Sequence, residues 1–124
     1  MSIRHRICRL EELQPGRPRG FDLPGAGGVG GIIVVRTPPH LHGYMNRCPH
    51  TGVNLDWTPD VFLDVTGTLL QCAMHGALFR FEDGYCIFGP CAAQSLTPIA
   101  LHVREGIVEA EIPDGLMESP AAPA

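Results

Sequence analysis

The chain has 124 residues, 15 glycines, 12 prolines and an aromatic content of 6%, which fits one small domain with many turns. Its formal net charge is −4, and all nine basic residues are arginines, so non-specific nucleic-acid binding is disfavoured. Neither a signal peptide nor an apolar run long enough to span a bilayer is visible. We therefore expect a cytoplasmic protein with no nucleic-acid and no membrane partner.

Residues 1–31 predict one strand, over residues 3–10, followed by a turn and an irregular glycine- and proline-rich segment over 15–31. Residues 25–30 match the G-x-G-x-x-G pattern of dinucleotide sites. That pattern requires a helix after it, whereas the β-branched run 32–35 follows here. A flexible turn is the better interpretation.

The rest of the chain predicts short strands and turns. No long apolar stripe of helical period occurs, so the predicted fold class is all-β, built from small antiparallel sheets. We expect a single domain over residues 1–112 and a disordered tail over 113–124. The strands are predicted at 32–36, 41–46, 68–71, 77–81, 96–103 and 107–112, and one short helix is possible at 58–63.

Two short motifs, Cys48-Pro49-His50 and Cys72-Ala73-Met74-His75, each place one cysteine and one histidine on a predicted tight loop. Two thiolates and two imidazoles can complete a [2Fe–2S] cluster in which one iron takes both sulfurs and the other both nitrogens. They can also hold a tetrahedral zinc ion, although Cys-x-His is unusual in structural zinc sites. Cys48, His50, Cys72 and His75 are thus the candidate cofactor and metal ligands, with the iron–sulfur cluster favoured.

The segment from Asn46 through Gly76-Ala77 to Gly89-Pro90 resembles the Rieske iron–sulfur family, and within it the soluble Rieske-type ferredoxins. The resemblance implies a Rieske-type fold with a cluster-binding subdomain at about residues 44–92. It also implies one [2Fe–2S] cluster per chain. By that resemblance, Cys48 and Cys72 would bind one iron, and His50 and His75 would bind the other, near the surface.

Four positions depart from the high-potential members of that family. Those proteins carry a disulfide between the two ligand loops, where this chain has Val53 and Ala73, and hydroxyl groups where it has Ala77 and Phe79. The loss of two hydroxyl donors leaves the reduced cluster less stabilised. We therefore expect a potential near the low end of the Rieske range, about −150 mV.

Other cysteines and histidines carry weaker signals. Cys86 and Cys91 flank Gly89-Pro90 and are interpreted as small buried thiols rather than as a redox pair. His40 and His42 are two residues apart beside a strand, and ordinary surface histidines explain them better than a metal pair does.

The first functional hypothesis is an electron carrier that takes one electron from a reductase and passes it to an oxygenase or a similar acceptor. The alternatives are a small Rieske subunit fixed in a larger oxidoreductase, and a structural zinc module. A catalytic oxygenase subunit is disfavoured, because no set of two histidines and a carboxylate for a mononuclear iron follows the second motif. We expect a non-catalytic component of an oxidoreductase system.

Overall fold

The computed structural model describes residues 2–21, 31–46, 62–72, 76–89 and 94–113. Within these ranges the chain is built from β-strands and one short 3₁₀ helix (Leu10–Glu12), which confirms the predicted all-β class. The strands are β1 (Ser2–Arg9), β2 (Arg19–Phe21), β3 (Ile32–Thr37), β4 (His40–Met45), β5 (Leu69–Gln71), β6 (Leu78–Arg80), β7 (Cys86–Phe88), β8 (Pro98–Arg104) and β9 (Ile107–Pro113).

Six strands form an antiparallel sheet in the order β1-β9-β8-β4-β3-β2. The β3–β4 and β8–β9 hairpins supply its centre, and β4 pairs with β8 at two positions, of which one is Gly43 opposite Ile99. A Cβ atom at Gly43 would lie 3.0 Å from the Ile99 carbonyl oxygen, so glycine lets the two strands approach closely. The edges of the sheet are the arginine-rich β1 and the three-residue β2.

The other three strands form a small antiparallel sheet in the order β5-β6-β7. β5 pairs with β6 from Leu69 opposite Arg80 to Gln71 opposite Leu78. The pairing of β6 with β7 contains a bulge, because Leu78 lies opposite Phe88 while the next residue of β6 lies opposite Cys86. A bulge inserts one extra residue and redirects the side chains near it.

β3 is buried on both faces, which explains its unbroken apolar sequence. Ile33 and Val35 belong to a hydrophobic cluster that includes the buried side chains of the small sheet. Ile32 and Val34 belong to a second cluster, which includes buried residues of β8 and β9. The two clusters therefore meet on one strand.

Tyr44 connects β4 to the turn between β6 and β7. Its hydroxyl group donates a buried hydrogen bond of 2.6 Å to the carbonyl oxygen of Phe81. Its ring lies against Gly84, where a Cβ atom would come within 2.8 Å of the ring carbon Cε1. This contact ties the two sheets together at the surface of the first cluster.

Three local predictions are wrong. Residues 15–31 are not irregular throughout, because β2 forms at 19–21 and pairs with β3. Residues 86–88 form β7, where no strand was predicted. The end of the predicted helix over 58–63 is extended, since Leu63 forms an isolated β-bridge with Leu70. The glycine pattern at 25–30, the start of that helix and the tail beyond residue 113 lie outside the described residues.

Candidate metal centre

Cys72 is the predicted ligand that the structure describes, whereas Cys48, His50 and His75 lie outside the described residues. Cys72 directly follows β5 and is fully buried in the first hydrophobic cluster. Because β5 is paired within the small sheet, that sheet fixes the backbone position of Cys72.

The hairpin that carries Cys72 is closed by two backbone hydrogen bonds. The Cys72 amide donates to the Ala77 carbonyl oxygen at 2.9 Å, and the Gly76 amide donates to the Cys72 carbonyl oxygen at 2.9 Å. Only residues 73–76 lie between the bonded residues Cys72 and Ala77. Gly76 has a φ of 72°, a left-handed conformation that favours glycine, which explains why glycine follows His75 in the motif.

The first motif begins just after a second fixed point, at the end of β4. The Met45 amide donates to the Thr97 carbonyl oxygen at 2.8 Å, and the Asn46 amide donates to the Gly31 carbonyl oxygen at 3.0 Å. Asn46 is also buried. The chain therefore enters the Cys48 motif from the large sheet and the Cys72 motif from the small sheet. The two entry points border one cluster, which includes both Tyr44 and Cys72.

A third segment packs against the Cys72 hairpin. Gly89 has a φ of 102°, and a Cβ atom there would lie 2.8 Å from the Cα atom of Ala77. Just before it, Cys86 is a buried thiol that donates to the carbonyl oxygen of Phe88 at 3.2 Å, in agreement with its predicted role as a small buried side chain. Cys91 lies outside the described residues.

The chemistry of this environment fits a cluster ligand at Cys72. Ala77 and Phe79, where hydroxyl groups were noted as missing, are fully buried and apolar. A buried thiolate is unfavourable unless a positive charge or a metal compensates it. Bound iron would supply that compensation. The hydrogen bonds between Cys72, Gly76 and Ala77 already fix the backbone that would present the sulfur atom to the iron.

No competing metal site is found in the part of the chain that the structure describes, where no group of three or more histidines, cysteines or acids is placed to hold an ion. His40 and His42 have ring centroids 6.2 Å apart. The Nε2 atom of His42 lies 2.7 Å from the Thr37 hydroxyl oxygen, and burial lowers the pKa of His42. These contacts agree with ordinary histidines at the end of a hairpin.

Two residues that stabilise the surroundings of the site were not predicted from the sequence. Tyr44 was counted as part of a strand, and nothing in the local pattern showed that its hydroxyl group would reach Phe81. Gly89 was noted for the family pattern, but its close approach to Ala77 is visible only in three dimensions.

Among the described residues, no helix has the length and apolarity to cross a membrane.

The family model for the Rieske [2Fe-2S] domain matches residues 4–108. The chain therefore belongs to the Rieske [2Fe-2S] domain family, and it carries one [2Fe–2S] cluster. This finding favours the iron–sulfur interpretation of the two motifs over the zinc interpretation. A comparison with curated proteins finds no match.

Several solved structures share the fold. A chain in a complex of reduced oxygenase and oxidized ferredoxin in carbazole 1,9a-dioxygenase is 25% identical, with a TM-score of 0.68, over 87% of this chain and 92% of that chain. The ferredoxin of carbazole 1,9a-dioxygenase from Nocardioides aromaticivorans IC177 is 20% identical, with a TM-score of 0.65, over 86% and 95%.

Larger chains also match. A chain in a complex of carbazole-bound oxygenase and ferredoxin is 23% identical, with a TM-score of 0.70, over 90% of this chain but only 29% of that chain. This chain thus spans less than a third of that relative. Family and fold together place the chain in the Rieske class, with a Rieske-type fold of small antiparallel sheets.

Proposed function

We propose that Cys48 and Cys72 bind one iron of the cluster and that His50 and His75 bind the other. The observation that carries this proposal is the position of Cys72, which is buried at the end of β5 and starts a hairpin closed on both sides by backbone hydrogen bonds. A cluster held by a fixed hairpin needs little rearrangement when its charge changes, which favours rapid electron exchange.

The proposed role is to carry one electron between a reductase and an oxygenase or a similar acceptor. When bound, the cluster takes up and releases that electron. The protein orients Cys72 through the β5–β6 hairpin and keeps water away through the buried side chains of Ala77 and Phe79. The role is supported by matches that cover 92% of a chain in the oxygenase–ferredoxin complex and 95% of the ferredoxin of carbazole 1,9a-dioxygenase from Nocardioides aromaticivorans IC177.

A small subunit fixed in a larger oxidoreductase is the second candidate. It is supported by the matches that cover only 29% and 34% of longer chains, in which the same fold is one part of a larger protein. The two roles differ in the lifetime of the complex. A carrier purifies by itself and turns over with catalytic amounts of partner, whereas a fixed subunit co-purifies with its partner in a constant ratio.

The cytoplasmic location, the absence of membrane and nucleic-acid partners, and the lack of catalytic activity stay predictions. The acidic composition supports the absence of a nucleic-acid partner, and the lack of a set of two histidines and a carboxylate after the second motif supports a non-catalytic role. Fractionation of the cells that produce the protein, followed by detection in each fraction, tests the location directly.

The ligand assignment is tested by electron paramagnetic resonance (EPR) of anaerobically purified, dithionite-reduced protein, with analysis of iron, sulfide and zinc. We expect a rhombic signal and two irons and two sulfides per chain. Cys48→Ala and Cys72→Ala should lose the signal and the iron. Cys86→Ala is the matched control, because Cys86 is also buried, and it should keep both.

Three results would contradict the assignment. One is a colourless protein with one zinc per chain, which would restore the zinc module. Another is a normal signal in Cys72→Ala, which would remove this residue from the ligand set. The third is loss of the cluster in Cys86→Ala to the same extent as in Cys72→Ala.

A further inference from the structure

Two large apolar side chains are exposed on β7, beside the hairpin that carries Cys72. Ile87 is 47% exposed and Phe88 is 63% exposed. Phe88 lies opposite Leu78, the first residue of β6, which follows His75 by three positions. Large exposed apolar groups that lie side by side often mark a surface where another protein binds.

The bulge in β7 explains why both side chains face solvent. In a regular strand alternate residues share a face, so Phe88 would point to the same buried side as Cys86. The shift in pairing makes Ile87 the extra residue of the bulge, and Phe88 is exposed although Cys86 is buried. Bulges are over-represented beside functional sites, where they redirect a side chain.

The backbone under these two side chains is fixed on several sides. The Cys86 amide donates to the Gln94 carbonyl oxygen at 2.8 Å, and the Cys86 thiol donates to the Phe88 carbonyl oxygen at 3.2 Å. Gly89 packs against the backbone of Ala77. A surface that is already ordered loses less conformational entropy when a partner covers it.

The charge around this surface indicates the kind of partner. In the part of the predicted cluster-binding subdomain that the structure describes, the charged residues are Asp64, Arg80, Glu82 and Asp83, a balance of −2, and Glu82 and Asp83 lie in the turn that leads to β7. Arg80 is engaged with the carboxylate of Asp83. Opposite charge on the partner would attract this end of the molecule and orient it during encounter.

We propose that Ile87 and Phe88 form a docking surface for the protein that accepts the electron, and that this acceptor presents an apolar depression bordered by basic side chains. The inference rests on the proposed function, because docking at this place matters only if the protein exchanges electrons. The position of Phe88 across from Leu78 brings the docked acceptor next to the hairpin that begins at Cys72.

Oxidised cytochrome c is the probe for a test, because it is a basic protein with a haem edge at an apolar part of its surface. One electron passes from the reduced protein to ferric haem, which becomes ferrous. The second-order rate constant is measured by stopped flow for wild type, Ile87→Ser, Phe88→Ser and Val103→Ser. Val103 is the matched control, since it is 48% exposed and lies on β8 in the large sheet.

We expect Phe88→Ser to lower the rate constant about tenfold, as for the central aromatic residue of an interface, and Ile87→Ser to lower it less. Val103→Ser should stay within about twofold of wild type, because single surface substitutions away from an interface have little effect. Higher ionic strength should slow the wild-type reaction, since it screens the attraction between the two proteins.

Equal rate constants for Phe88→Ser and Val103→Ser would overturn the proposal. A wild-type reaction that ionic strength does not slow, or no reaction at all, would overturn the basic acceptor. A wild-type dimer in solution that Phe88→Ser dissociates would show that a second copy of the chain covers the surface instead. The EPR signal of each variant separates these failures from failure of the proposed function, which would remove the signal from wild type as well.

Discussion

Tyr44→Phe deletes the hydroxyl group through which β4 bonds to the turn between β6 and β7. Tyr44 is 3% exposed, and its hydroxyl donates to the Phe81 carbonyl oxygen at 2.6 Å. The phenylalanine ring can keep its place against Gly84, so the main change is a buried carbonyl group that loses its donor. Leaving a buried acceptor without a partner costs about 1–3 kcal/mol.

Amide hydrogen exchange measures this loss of local stability at individual backbone amides. A loss of about 1–3 kcal/mol in the local opening free energy corresponds to exchange that is about 5–150-fold faster. The amides to follow are those of Gly84, which donates to the Arg80 carbonyl oxygen, and Leu96, which donates to the Gly84 carbonyl oxygen. Gly84 faces the ring of Tyr44, and Leu96 packs against Gly84.

Thr37→Val is the control variant. It removes another side-chain hydrogen bond of the β3–β4 hairpin, that of the Thr37 hydroxyl with His42 at 2.7 Å, and leaves the bond from Tyr44 to Phe81 in place. It should leave exchange at Gly84 and Leu96 within about twofold of wild type. Unchanged protection of these amides in Tyr44→Phe would refute the bridge, and so would an equal loss throughout β8 and β9.

Three further predictions concern pH, packing and potential. Burial, reinforced by Asp83 and Glu82, raises the pKa of Tyr44 above the ordinary value of 10.0. The unfolded chain therefore releases this proton first, so the stabilisation is full below about pH 10 and falls above it, by up to about 1.4 kcal/mol per pH unit. Thermal unfolding measured against pH should show a shallower fall in Tyr44→Phe, which lacks the proton. Identical slopes in wild type and variant would contradict the assignment to Tyr44. Gly89→Ala puts a methyl group 2.8 Å from the Ala77 Cα atom at a φ of 102°, and it should cost about 2–4 kcal/mol in thermal denaturation. Gly67→Ala, with a φ of 74° and open space around it, should cost only about 1–2 kcal/mol, so similar losses in both would rule out the packing argument. An EPR-monitored redox titration should give a midpoint reduction potential of about −150 mV. A midpoint potential of about +300 mV would show that hydroxyl groups at positions 77 and 79 are not needed for a high potential.

The sequence predicted those parts of the fold that depend on local pattern. β3 was predicted because a run of β-branched residues is typical of a strand. Its burial on two faces explains why apolar and polar residues do not alternate along it. β2 was missed because Arg19-Gly20-Phe21 has little strand propensity of its own and pairs with β3 through tertiary structure. β7 was missed because its bulge breaks the alternation of side chains.

The site divides in the same way. The residue types and spacing of the two motifs predicted the cofactor before any fold was known, because few other sites use two such cysteine–histidine pairs. Of the four proposed ligands, Cys72 alone lies among the described residues. What surrounds it could not be predicted from the sequence, since the contact of Gly89 with Ala77 and the bond from Tyr44 to Phe81 join residues that are distant along the chain.

The edges of the large sheet have a consequence for how the protein behaves at high concentration. An exposed strand edge can pair with the edge of another molecule and start aggregation. One edge here, β1, carries Arg4 and Arg6, which pair in register with Glu111 and Glu109 of β9, and the other edge is only three residues long. Neither offers a long, flat, uncharged template, so crowding should not drive copies together through their sheets. A carrier that meets its partners by repeated collisions, as proposed above, would then remain dispersed at high concentration.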